Sequence, residues 1–360
     1  MNYLRHQSTY NKFLFMLRAL LYFKLNIVLP CTLLLLSTNA IAQPSYKLNK
    51  IKLPEEVSFY DNQFSSIQIY QNKLYLISES RLQDKAEAKI YVADISKYKK
   101  YLNDTNRVLP FSKYSIKNLD ILRNKISAAG GEYEGIEATI IENGNVYFSI
   151  ETETASPDCY IIKGVLQNQQ VILDTTILIA MPKFTGADGK PIYNAGFEAM
   201  IKEGDYLFAF YEYNYFMSAN YVRVLDKFSF GGNQCQHLFP MQRLPFRITD
   251  ITATGNHHFT AINYFFQGGG RDAVYRPAEN DSINNKLVKT DGNFKSYSRL
   301  VDIYINETGI SWQPIWEFPL AFRGYNWECI AYYKNGYFVM NDKYTTQKPY
   351  QSELYYLEKR

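Results

Sequence analysis

Residues 64–80 read FSSIQIYQNKLYLISES. Two β-rich runs flank the turn Gln71-Asn72-Lys73, so the segment reads as a hairpin. The same design returns as YEGIEATIIENGNVYFSIE from Tyr133, FEAMIKEGDYLFAFYE from Phe197, ITDITATGNHHFTAIN from Ile248 and WECIAYYKNGYFVMND from Trp327. Their turns, such as Glu142-Asn143-Gly144-Asn145, Glu203-Gly204-Asp205 and Lys334-Asn335-Gly336, are built from residues that accept positive φ. Self-similarity at such spacings marks a stacked or radial repeat.

Further strand-like runs lie between the hairpins, at residues 88–93, 159–163, 221–225 and 300–305. A hairpin plus one or two such runs makes a four-stranded sheet, and sheets arranged round an axis make a β-propeller. Five repeats predict five blades of an all-β, five-bladed β-propeller with an axial channel. The early run at 46–53 or the last at 352–357 would complete a blade and close the ring. Residues 113–129, with Leu119, Leu122 and Ile126 at near-helical spacing, predict a short helix on a surface excursion.

The N-terminus reads as a leader. Arg5, Lys12, Arg18 and Lys24 precede an apolar run at 26–36, and Ala40-Ile41-Ala42 is a small-x-small cleavage signal. The expected division is a signal peptide at 1–42 and one propeller domain at 43–360, in a protein exported to the periplasm or beyond. No later stretch has the roughly 20 uninterrupted apolar residues of a spanning helix. The formal net charge of +4 is modest and partly owed to the leader, which argues against a nucleic-acid polymer or an anionic membrane as partner. Cys159, Cys235 and Cys329 remain after the leader, too few for a disulfide framework.

Aligning the hairpins on their first polar residue gives a ring: Ser65, Glu134, Glu198, Thr249 and Glu328. The first strand of each blade lines a propeller's channel, so these residues should converge. Glutamates buried together need neutralising, and an all-oxygen donor set favours a hard ion, Ca²⁺ over Mg²⁺. The other reading is a metal-free ring of strand-end residues bonded to neighbouring backbone. A second register follows at the far end of each hairpin: Glu79, Glu151, Glu212, Asn263 and Asp342, with Arg81, Lys343 and Tyr344 just beyond.

The ring series resembles that of the calcium-activated nucleotidases, the apyrases, which are five-bladed propellers with an axial Ca²⁺. Residues 65–81 are similar to their first-blade hairpin, and Tyr133-Glu134-Gly135-Ile136-Glu137 to another of their motifs. Asn194-Ala195-Gly196-Phe197-Glu198 and Asn326-Trp327-Glu328 are also similar to the N-x-G-F-E-G and N-W-E-G patterns of the esterase-like phytase propellers. These resemblances imply that Ser65, Glu134, Glu198, Thr249 and Glu328 bind Ca²⁺. They also imply a hydrolase of a nucleotide or other phosphate ester.

On that expectation Glu79, Glu212 or Asp342 acts as general base. Arg81, Glu151, Asn263, Arg271 and Lys343 then contact the small anionic substrate. A competing expectation is a non-catalytic binding propeller with a structural axial Ca²⁺, and a third is an esterase or lactonase. Gly268-Gly269-Gly270-Arg271-Asp272 lacks the lysine and hydroxyl of a P-loop and reads as a loop, followed at 273–291 by a long mobile insertion. His257 and His258 fall on a hairpin tip, and no G-x-S-x-G elbow supplies a serine nucleophile.

Overall fold

Alternation along the strands decides the packing. In the computed structural model Leu74 and Leu76 enter one apolar cluster while Tyr75 and Ile77 enter the next. Each strand therefore feeds two seams, one on either face of its sheet. The structure describes residues 44–79, 89–226, 236–343, 345 and 348–360. The leader, Arg81, Cys235 and Tyr344 lie outside the described residues.

Strand β1 (Tyr46–Ile51) comes first, followed by β2 (Phe64–Tyr70), β3 (Lys73–Ser78), β4 (Lys89–Asp94) and β5 (Ser112–Lys117). Next are β6 (Tyr133–Glu142), β7 (Asn145–Thr152), β8 (Asp158–Gln167) and β9 (Gln170–Leu173), with β10 (Ile179–Pro182) laid against β8. Then come β11 (Ala199–Glu203), β12 (Tyr206–Phe210), β13 (Asn220–Leu225) and β14 (Gln236–Met241). After β15 (Arg247–Gly255) and β16 (His258–Phe265), an insertion carries the small hairpin β17 (Lys289–Thr290) and β18 (Asn293–Phe294). The chain resumes with β19 (Tyr297–Asn306), β20 (Gly309–Glu317), β21 (Trp327–Tyr333), β22 (Gly336–Asn341) and β23 (Leu354–Lys359).

Hydrogen bonding groups these into antiparallel runs of four: β2-β3-β4-β5, β6-β7-β8-β9, β11-β12-β13-β14, β15-β16-β19-β20 and β21-β22-β23-β1. The last run joins both candidate closing segments, because β1 pairs along β23 from Tyr46↔Lys359 to Ile51↔Leu354. Two pairs of runs also touch at their outer edges, through parallel β5–β9 and β14–β20 contacts. The first strands form a closed circuit: β2 lies beside β6, β6 beside β11, β11 beside β15, β15 beside β21, and β21 beside β2. This is an all-β, propeller-type architecture within the single unit Pro44–Arg360.

The core is divided among the seams. Phe64 and Ile67 meet Cys329 and Phe338 in one cluster, and Ile77 meets Ile136 and Phe148 in the next. Ile161 meets Leu207, Phe208 meets Phe259, and Leu300 meets Trp327 and Val339 round the rest of the circuit. Polar contacts stitch the same seams near the axis. The Asp250 carboxylate accepts from Ile251 N and, across the seam, from Ile330 N, both at 2.8 Å.

Part of the expected 113–129 helix is strand β5, and only Leu119–Ala128 is helical. Its Leu119, Leu122 and Ile126 are buried in a seam cluster, so it belongs to the core. The insertion after β16 has secondary structure of its own. It holds a 3₁₀ turn (Gly270–Tyr275) and a helix (Ser282–Val288) capped by Asp281, whose carboxylate also accepts from Tyr215. Cys159 and Cys329 are buried free thiols. Among the described residues no helix is long and apolar enough to cross a membrane.

Candidate functional site

Bulges aim side chains at the axis. The ladder steps from Phe64 to Ser66, from Ile248 to Asp250 and from Trp327 to Cys329, skipping Ser65, Thr249 and Glu328. An unpaired residue in a bulge is turned out of the regular pleat. Strand β6 has two such irregularities, one skipping Glu134 and the other spanning Glu137. Counting five residues back from the last paired residue before each turn gives Ser65, Glu137, Glu198 and Glu328. Thr249 sits six back because β15 has a second irregularity near its tip. Glu137 therefore holds the ring register, and Glu134 lies three residues before it.

All of these residues except Thr249 surround a cavity of about 530 Å³ at one end of the axis. Ser65, Glu137, Glu198 and Glu328 line it, and Glu134 forms part of its wall. The hydroxyls bind backbone: Ser65 Oγ donates to Ile136 O at 2.6 Å, and Thr249 Oγ1 donates to Trp327 O at 2.8 Å. The ring's hydroxyls thus stitch seams while its glutamates supply the charge. In the second register Glu79, Glu151, Glu212 and Asp342 line the pit. Asn263 is fully buried outside it, donating to Pro245 O and Arg247 O and accepting from Arg299 Nε at 2.8 Å.

At Gly135, Gly196 and Arg247 the residue two places before the ring position receives the second-register acid of the preceding run. At Gly196 a Cβ would stand 3.1 Å from the Glu151 Cγ, and at Gly135 it would collide with the Glu79 side chain. Glycine there makes room for a carboxylate. Where the position is Arg247, the acid is instead paired: Arg247 Nη1 donates to Glu212 Oε1 at 2.8 Å. Gln63 bridges, accepting from Lys343 Nζ at 3.0 Å and donating to Glu79 Oε2 at 3.3 Å.

The insertion completes the charged network. Arg247 Nη2 donates to Asp272 Oδ1 at 3.1 Å, and the guanidinium lies 3.8 Å from the Tyr275 ring centroid. The Tyr275 hydroxyl stands 2.5 Å from Glu212 Oε2. Burial pushes the Glu212 carboxyl up, while Arg247 and that hydroxyl act in the opposite direction. For Glu137, Glu151, Glu198 and Glu328, burial and then neighbouring carboxylates hold the acid well above its usual range. Asp342 is pushed up to about 7, chiefly by burial, with Lys343 and Asn326 opposing. Glu151 Oε1 and Asp342 Oδ1 are buried without a hydrogen-bond partner.

The pit thus gathers nine carboxyl side chains against Arg247 and Lys343. Among the described residues, no three His, Cys, Asp or Glu side chains stand arranged to hold a metal ion. Arg271 lies outside the pit, in a neighbouring pocket. Glu137, Arg247, Asp272 and Tyr275 were not among the expected site residues. Glu137 was findable, since fourteen residues separate the registers in every hairpin and Glu151 points back to it. Arg247 and Tyr275 carry no such repeat signal.

No family model matches the chain, and no curated protein does. Neither the nucleotidase nor the phytase-propeller resemblance is thus backed by a family match. Among solved structures, the chain is similar to the catalytic domain of a Coprinopsis cinerea GH62 alpha-L-arabinofuranosidase, at 9% identity over 88% of this chain and 97% of that one, TM-score 0.44. It is similar to an exo-beta-1,3-galactanase from Phanerochaete chrysosporium at 9% identity over 87% and 64% of the two chains, TM-score 0.47. It is also similar to a putative oxidoreductase (glucose dehydrogenase) from Thermus thermophilus at 8% identity over 87% and 100%, TM-score 0.44.

The expectation of a phosphate-ester or nucleotide hydrolase is corrected by the charge of the pit. Its acids far outnumber its basic side chains, and Arg247 is already bound to Glu212 and Asp272.

Proposed function

We propose that the pit is the active site of a hydrolase that cleaves glycosidic bonds in a small, hydroxyl-rich glycan. The observation that carries this reading is the split between two pit carboxyls: Asp342, pushed up to about 7, and Glu212, tethered to Arg247 and Tyr275. Among the described residues lining the pit there is no histidine or cysteine. Acetal cleavage is chemistry that two carboxyls in different environments can perform unaided.

In this mechanism Asp342 gives its proton to the departing glycosidic oxygen. Glu212, whose charged form is favoured by Arg247 and the Tyr275 hydroxyl against the opposing effect of burial, assists water at the anomeric carbon and takes up the proton that water loses. Glu137, Glu151, Glu198 and Glu328, whose burial favours the protonated form, donate to and accept from sugar hydroxyls. Tyr193, Tyr264 and Phe266 on the same wall offer faces for the sugar ring. The five runs of four strands are read as five blades of one exported propeller.

A second reading concerns how the charge is neutralised. The donors are all oxygens, and two of them, Glu151 Oε1 and Asp342 Oδ1, are buried without partners, which suits Ca²⁺. Glu137, Glu198 and Glu328 would hold it after side-chain rotation, since they do not form a ready ligand set. Bound there, the ion would neutralise the cluster and orient hydroxyl oxygens. The test is sugar release from a panel of aryl glycosides and oligosaccharides, with and without Ca²⁺. Release abolished by Glu212→Gln and Asp342→Asn in folded protein supports the proposal, and no release from any of them overturns it.

A further inference from the structure

Beside the pit lies a second pocket of about 610 Å³, a size suited to a small ligand. The two cavities share Glu134, Tyr193 and Asn194. We infer that this pocket is a subsite for a carboxylate-bearing sugar, a hexuronic acid unit, whose acid group meets Arg271 and Lys190. The inference rests on the glycosidase reading of the pit and names the substrate that pit would receive.

The walls are fixed before any ligand arrives. Lys190 sits on a tight loop closed by the Thr185↔Pro191 bridge, with Gly186 N donating to Lys190 O at 2.8 Å. Asn194 N donates to Thr154 Oγ1 at 3.0 Å. The Tyr275 hydroxyl lies 3.1 Å from Tyr193 O and 2.8 Å from Asn194 O, and the same oxygen touches Glu212 in the pit. One phenol therefore sets the floor of the pocket and the carboxylate of the pit together.

The charge pattern selects the ligand. The Arg271 guanidinium is stacked 4.4 Å from the Tyr193 ring centroid, which holds its planar fork at the pocket wall. Neither Arg271 nor Lys190 has an ion-pair partner among the described residues. A guanidinium presented in this way pairs with a carboxylate through two parallel hydrogen bonds. Glu134 and Glu153 on the same pocket balance the two cations, so a multiply charged anion is disfavoured. A singly charged ligand with many hydroxyls fits both halves.

The test is calorimetric titration of the full chain with glucuronic or galacturonic acid and with the matching neutral hexose, in the wild type, Glu212→Gln and Arg271→Ala. We expect the uronic acid to bind at least about tenfold more tightly than the hexose, and that margin to vanish in Arg271→Ala but persist in Glu212→Gln. Equal binding of acid and hexose, or a preference untouched by Arg271→Ala, overturns the subsite. Arg271-dependent uronate binding without cleavage of any glycoside sustains the subsite and sinks the hydrolase reading alone. Cleavage of neutral glycosides with no uronate preference does the reverse.

Discussion

Arg247, at the start of β15, donates to Glu212, just past the end of β12, at 2.8 Å across the seam between two sheets. That contact makes Glu212 unlike the other pit glutamates, whose neighbours are mostly further acids. It also links the pit to the insertion, because the same guanidinium bonds Asp272.

Catalysis should divide along this line. Asp342→Asn and Glu212→Gln are each expected to lower kcat by about 100-fold or more, the usual scale for losing a general acid or base. In the wild type, activity should decline as pH rises through about 7, where Asp342 loses its proton. Asp342→Asn should abolish that alkaline limb. Steady-state rates from pH 4 to 9 check both.

Stability should fall with rising pH. Glu137, Glu198 and Glu328 are all held above their usual value, so the folded chain binds more protons than the unfolded one. Their stabilising protons are fully present below the ordinary carboxyl range and are lost as pH climbs through the raised values. Glu328→Gln, which removes one such charge, should raise Tm at pH 8 by roughly 2–4 °C per kcal/mol relieved. At pH 4.5 the variant and wild type should melt together, as read by scanning calorimetry.

Calcium should act where protons are absent. At pH 8 a concentration of Ca²⁺ 100 times its Kd would stabilise the chain by about 2.7 kcal/mol, and the effect should fade toward pH 5 as the carboxyls protonate. Glu198→Gln should weaken the response. A Tm indifferent to Ca²⁺ and to chelator across that range would leave protons as the neutralising species.

The glycines beside the acids should not tolerate a methyl group. A Cβ at residue 196 would stand 3.1 Å from both Glu151 Cγ and Glu151 Oε1, so Gly196→Ala must displace that carboxylate. The expected penalty is about 1–3 kcal/mol, the range for overpacking a tight site. Urea denaturation measures it. In Glu151→Ala the same substitution should become nearly neutral, because the obstacle is gone.

Much of this was legible in the chain. The hairpins, their turns and the candidate closing segments follow from period-two alternation and turn residues, which are local properties. Ser65, Glu198 and Glu328 were placed from the same repeat, as were Glu79, Glu212 and Asp342. Alignment on the first polar residue gives Glu134 and counting from the turn gives Glu137; both line the pit, because β6 holds two irregularities.

The sequence by itself determined the repeat: alternating apolar residues fix which face of each strand is buried, whatever lies across the seam. Only the tertiary structure decided the chemistry of the pit. Whether a ring residue supplies charge or stitches backbone depends on what another sheet presents. Ser65 and Thr249 met carbonyl groups, while Glu212 met Arg247. The Tyr275 hydroxyl reached Glu212 from an insertion with no counterpart in the repeat. Protonation depends on burial and on the distance to other charges, quantities that exist only once residues far apart in the chain have been brought together.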